Sequence, residues 1–376
     1  MQRLTRWFSA LALGACLWAA SPFLEGLMPI NGEAAIAAPL PAPAIAYLPP
    51  GNAVTDGRAL LRNALPIDNP DIRKVQEGLE GLSEWLRSNR FGPIKRDVSK
   101  VEKLVSRRRD AILAGVPETQ KEAASAWLDD IQAGFAPLLD AVDARDKETI
   151  WRSRAALLDR VTQIEESMVE GFPFEVPEEY RNLPQLKGRA TIEFTTSKGT
   201  MTAVVDGYSA PVTAGNFVDL VQRGFYDGMV FTRAEDNYVL QTGDPDGPAE
   251  GFIDPKTKEY RAIPLEILVK GMTEPIYGST LEALGMYLEE PVLPFSAFGT
   301  LGMAHPDDPN GGSSQFFFFL FEPELTPAGL NLLDGRYAVF GYVVKNKEVL
   351  DQLRQGDRIE SARVVDGLEN LVLPER

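Results

Sequence analysis

The chain has 376 residues, enough for two domains with separate cores, and a formal net charge of −16. One histidine (His305) and one cysteine (Cys16) cannot assemble a Cys/His zinc site, and with Cys16 in the expected leader the mature chain is expected to have no disulfide and no cysteine nucleophile. The acidity removes the basic footprint that nucleic acid requires, so no nucleic-acid partner is expected. His305 has no GxSxG elbow to serve, and no cofactor or metal is expected. Whatever chemistry this chain performs needs little acid–base machinery.

Residues 1–38 read as an export signal. Arg3 and Arg6 give a positive start, residues 7–20 form an apolar run too short to span a bilayer, and Ala35, Ile36 and Ala37 offer an AxA-like cleavage site. A second reading stays open, because Leu13, Gly14, Ala15 and Cys16 resemble a lipobox that would place a lipid on Cys16. Either way the chain is expected to be exported. Residues 39–54 form a Pro- and Ala-rich linker.

Residues 55–171 carry helical periodicity. Asn69 is an N-cap with Pro70 at the first helical position, followed by Ile72, Val75, Leu79, Leu82 and Leu86 on one stripe. A second stripe holds Ile94, Val98, Val101, Leu104 and Val105 and stops at Gly115. A third, opened by Pro117, holds Leu128, Ile131, Phe135, Leu138 and Val142; a fourth holds Ile150, Leu157, Val161, Ile164 and Met168. Four stripes with short connections predict an up-and-down helical bundle. The run Arg107–Arg109 fits a solvated helix face.

Residues 172–186 hold three prolines and no periodicity, which predicts a linker between domains. From 187 to 376 the period turns to two. Ala190, Ile192 and Phe194 point one way, residues 201–205 return, and residues 211–223 form a helix burying Phe217, Leu220 and Val221. Residues 225–244, FYDGMVFTRAEDNYVLQTGD, predict a hairpin in which Gln241 comes within cross-strand reach of Arg233 and holds its guanidinium. A long segment, 245–297, follows, with a short helix expected over 281–288. Residues 315–319 are apolar on both faces, as a buried strand should be. Many short strands with two helices predict a closed β-barrel.

Five ordered blocks carry a resemblance: AGNFVDLVQRGFYDG (214–228), the hairpin (225–244), GTLGMAH (299–305), GGSSQFFFFL (311–320) and LLDGRYAVFGYV (332–343). In this order and spacing, residues 189–360 resemble the cyclophilin family of peptidyl-prolyl isomerases. The whole layout resembles the multidomain cyclophilins of the thylakoid lumen and their cyanobacterial relatives. The fold this implies is multidomain α and β: an N-terminal up-and-down helical bundle followed by a C-terminal cyclophilin-like closed β-barrel.

Carried over residue by residue, the resemblance implies that Arg233 is the catalytic arginine and that Gln241 contacts substrate backbone. Tyr238 and Val239 stand where the proline pocket is lined, and Ala304 and His305 match the MAN segment, with histidine in place of asparagine. Gln315 and Phe317 match the SQFF block, Phe317 being the pocket floor. Leu332 and Leu333 stand at the Trp-Leu pair, and Tyr337 where many members have histidine. Thr232 for histidine, Val239 for methionine and Leu332 for tryptophan are departures that imply a looser pocket and weakened activity.

The chemistry fits so spare a composition. An X–Pro bond rotates slowly because amide resonance imposes a barrier of ~18–20 kcal/mol. No bond need break: a cation donating toward the proline nitrogen and an apolar slot for the ring favour the twisted amide. The implied partners are proline-containing polypeptide clients, including lumenal loops of photosystem proteins, and the implied compartment is the thylakoid lumen or a periplasm. The alternative function is a non-catalytic cyclophilin-like scaffold for membrane-protein assembly. An intramolecular bundle–barrel contact beside the client groove is also expected, with residues 268–296 bordering the same surface.

Overall fold

A computed structural model describes residues 54–321 and 332–374. The export signal, Cys16 and nearly all of the first linker lie outside the described residues.

The helices start where the sequence supplies caps. Asp56 accepts from the Arg58 N–H at the start of α1 (Gly57–Ala64), and Asn69 from the Ile72 N–H ahead of α2 (Pro70–Glu80). Gly81 separates α2 from α3 (Leu82–Arg87), so the first stripe runs over two helices rather than one. Then come α4 (Phe91–Ala114), α5 (Lys121–Ala144), closed by Arg145 in the left-handed conformation, and α6 (Lys147–Ser167). Every residue named in the four stripes is in the bundle's core cluster or, for Leu104, packed against it. Glycine sets two of the crossings. A Cβ at Gly78 would lie 2.4 Å from Val101, and one at Gly134 would lie 2.6 Å from Leu157.

After the bundle, β1 (Gln185–Leu186) pairs with the C-terminal β12 (Leu371–Val372), so the end of the expected linker is tied into the second domain. The main sheet contains β2 (Arg189–Thr196), β3 (Gly199–Asp206), β4 (Arg233–Glu235), β5 (Val239–Thr242), β8 (Thr300–Met303), β9 (Phe316–Phe319), β10 (Val339–Lys345) and β11 (Ile359–Asp366). Their order is β11-β2-β3-β10-β8-β9-β5-β4, antiparallel throughout. The sheet is strongly curled. Its two ends meet where the Gly228 and Phe231 N–H groups donate to the Ile359 and Asp357 carbonyls and Ile359 donates back to Met229. Helix α7 (Pro211–Gln222) plugs the interior, with Phe217 packed among Phe194, Phe316 and Phe340.

In the long segment, β6 (Glu266–Ile267) and β7 (Ile276–Tyr277) form a small hairpin. Residues 281–288 form turns instead of the expected helix. Glu266 is buried, and its two carboxylate oxygens accept from the Val212 and Thr213 N–H groups in the first turn of α7. Burial pushes its pKa up from 4.5 to about 7.

The helical region touches the sheet. Helix α1 lies on β10: its Leu60, Leu61 and Ala64 join Val339 and Tyr342 in one apolar cluster. Arg189 of β2 ties the seam, bonding Asp206 of β3 at 2.7 Å, Glu166 of α6 at 3.1 Å and the Leu61 carbonyl. Asp206 is fully buried, so this arginine supplies the opposite charge that its carboxylate needs there.

Candidate active site

Side chains alternate across a sheet, and this sheet sorts them into a core and an outer layer. Leu240, Phe318 and Leu301 face the interior, all fully buried. The residues between them face outward in cross-strand rows. One row reads Arg233 (β4), Gln241 (β5), Phe317 (β9), Gly302 (β8); the next reads Glu235, Val239, Phe319, Thr300. A cation, an amide and an aromatic ring therefore stand side by side on consecutive strands. Local pairing explains this: the Tyr238 N–H closes the turn onto the Glu235 carbonyl, which fixes the register of β4 on β5.

The aromatic part of the row is a floor. The Phe317 ring stacks on Phe295 at 5.7 Å and 6°, and Phe295 meets Phe319 edge-on at 5.4 Å. Val239, Leu293 and Leu333 complete the same buried cluster, with Ala304 and Tyr337 packed against it. Gly302 makes the stack possible, since a Cβ there would lie 2.6 Å from Phe317 and 2.8 Å from Phe295. Phe295 belongs to the long segment, and its N–H donates to Asp334, so the C-terminal end of 268–296 packs into this floor.

The rim is polar. Gln241 donates its amide to the Gln315 side chain at 2.8 Å; Gln315 in turn donates to the Glu250 carbonyl at 2.9 Å and toward Asp244 at 3.4 Å. Burial, then the charge of Glu250, holds the Asp244 carboxyl above its usual range. The Ala304 N–H is spent on the Gln315 carbonyl. His305 sits with its ring 4.8 Å from Tyr337, and its two ring nitrogens face the Pro306 and Arg336 carbonyls. Tyr337 meets Phe317 at a right angle, 5.5 Å away. Tyr238 stands at the open edge, 37% exposed, its ring against Phe319.

Two matches with known proteins bear on this arrangement. Residues 56–169 fit the model of a CYP38-like peptidyl-prolyl cis-trans isomerase PsbQ-like domain, and residues 191–369 that of the cyclophilin-type peptidyl-prolyl cis-trans isomerases. A putative thylakoid lumen peptidyl-prolyl cis-trans isomerase of Synechocystis is 58% identical over 323 residues, covering 86% of this chain and 85% of the relative. The chain belongs to the multidomain cyclophilin-type peptidyl-prolyl cis-trans isomerases. Chloroplastic CYP38 of Arabidopsis thaliana is 46% identical over 97% of this chain and 85% of its own length. CYP37 of the same plant is 34% identical over 89% of this chain and 74% of its own. This cyclophilin is therefore an isomerase of X–Pro bonds in polypeptides, built as a helical region followed by a curled antiparallel sheet.

One expectation about an individual side chain needs correction. Gln241 stands opposite Arg233 as the hairpin pattern predicts, yet it does not hold the guanidinium: its amide is tied to Gln315, and Arg233 bonds Glu235 instead. Leu332 is 85% exposed, whereas Leu333 is buried in the floor cluster. Sequence reasoning passed over Glu235, Gly302 and Phe295. Glu235 was legible, because a residue two positions from Arg233 on a strand shares its face. Phe295 was not, because it sits in the segment that departs from the family pattern.

Proposed function

We propose that the outward row on β4, β5 and β9 is the catalytic surface of this isomerase, with Arg233 as the donor toward the proline nitrogen. The register that sets Arg233, Gln241 and Phe317 on adjacent strands carries this reading. The proline ring rests over Phe317, bordered by Val239, Leu333 and Tyr337. Gln241 and Gln315, linked by a hydrogen bond, offer amides to the client backbone, and Ala304, His305 and Tyr238 border the flanking residues. In the twisted amide the nitrogen regains its lone pair, and a fixed cation stabilises that state more than either planar form.

The test is Arg233→Ala, measured by NMR exchange on an X–Pro peptide. Turnover should fall at least about tenfold, a loss of ~1.4 kcal/mol of transition-state stabilisation, with the unfolding midpoint unchanged. Equal turnover would transfer the chain's role to a non-catalytic scaffold.

We also propose that the leader carries the protein to the thylakoid lumen, the compartment named for its Synechocystis relative. Its clients there are proline-containing chains, among them lumen-exposed loops of photosystem proteins. Protease protection of the native protein in intact thylakoids checks the compartment. Digestion in intact vesicles would contradict it.

A further inference from the structure

Arg233 is the only cation on the 225–244 hairpin, and it is already occupied. Its Nε lies 2.7 Å and its Nη2 2.6 Å from one oxygen of Glu235, so a two-pronged grip neutralises the charge that the reaction needs. The contact follows from the strand, since residues two apart share a face and β4 ends with Glu235 on the outward side. Gln241, the other residue able to orient the guanidinium, hydrogen-bonds Gln315 instead. Both partners are about half exposed, at 50% and 49% of the side chain, so the pair is weak enough for a client to break.

We propose that Glu235 is a positioning residue that holds Arg233 in a charge-neutralised resting state, and that it selects clients with a basic residue next to the proline. The inference rests on reading Arg233 as the donor. A carboxylate against the guanidinium cancels most of the field it projects toward the proline nitrogen, so each turnover includes loosening the pair. A client lysine or arginine beside the proline offers Glu235 a replacement partner and releases Arg233. A client carboxylate at the same place competes with Glu235 for Arg233 and leaves the donor neutralised.

The experiment compares the wild type, Glu235→Gln and Arg233→Ala in the full chain lacking its leader. Two peptides are used, differing only in Lys or Glu before the proline. Turnover is read by NMR exchange, which needs no coupling protease. Salt shortens the screening length from about 30 Å at 0.01 M to about 3 Å at 1 M. The wild type should turn over the Lys peptide several-fold faster than the Glu peptide at low salt, and lose that preference at high salt. Glu235→Gln should exceed the wild type about two- to fivefold on the Glu peptide, with a diminished preference between the two. Equal handling of both peptides by the wild type, or no gain in Glu235→Gln, overturns the proposal. Arg233→Ala separates the two readings: if it is inactive while Glu235→Gln shows no gain, only the role of Glu235 fails. If it matches the wild type, the donor assignment fails as well.

Discussion

Gly302→Ala tests whether the aromatic floor is as rigid as its packing implies. The added methyl carbon would lie 2.6 Å from the Phe317 ring and 2.8 Å and 2.9 Å from two atoms of the Phe295 ring. Carbon atoms prefer about 3.5–4.0 Å, so the rings must give way by about 1 Å. Neither has room. Phe295 and Phe317 are nearly fully buried, stacked on each other, and Phe319 stands edge-on against Phe295. Overpacking of this kind costs about 1–3 kcal/mol, which includes the ~0.5–1.5 kcal/mol of an aromatic pair forced apart. A floor displaced by about 1 Å also misplaces the proline ring, and misplacements of that size cost up to ~100-fold in rate. Urea unfolding should show the stability loss, and kcat/KM by NMR exchange should fall at least tenfold, or ~1.4 kcal/mol. Lower stability with unchanged kcat/KM would show that the proline does not bind over Phe317. No change in either would show that the rings move freely and form no floor.

Leu332→Ala should leave turnover within about twofold of the wild type, since a side chain exposed at 85% makes few contacts to lose; a tenfold fall would place Leu332 in the client's binding surface. Glu266 makes stability depend on pH. Its folded value of about 7 lies above the ordinary 4.5, so the folded chain binds the proton more tightly than the unfolded one. The stabilisation is complete below about 4.5 and is lost as pH rises through about 7, so unfolding midpoints should fall across that window. Glu266→Gln keeps an acceptor oxygen for the N-terminal turn of α7 and should flatten that slope. An unchanged slope would place the titration elsewhere.

Local pattern determined much of this protein. The helical stripes depend only on a 3.6-residue period and on caps such as Asn69, so they were legible without any partner in view, and their residues fill the bundle core. The outward face of β4, β5 and β9 was legible too, because alternation along a strand assigns faces and the turn after Glu235 sets the register. Tertiary structure decided what those side chains touch. Gln241 had two polar neighbours within reach, Arg233 across the hairpin and Gln315 at the mouth of β9, and the curl of the sheet gave it Gln315. Helix α1 carries its own apolar residues, which sequence cannot direct to one domain or the other; it lies on β10, where a Cβ at Gly57 would come within 2.7 Å of Tyr342. Phe295 stacks on Phe317 with its backbone N–H caught by the Asp334 carboxylate across thirty-nine residues of chain. Periodicity reports which way a side chain faces. Which neighbour it meets depends on contacts between distant segments, and those exist only after the chain has closed around its core.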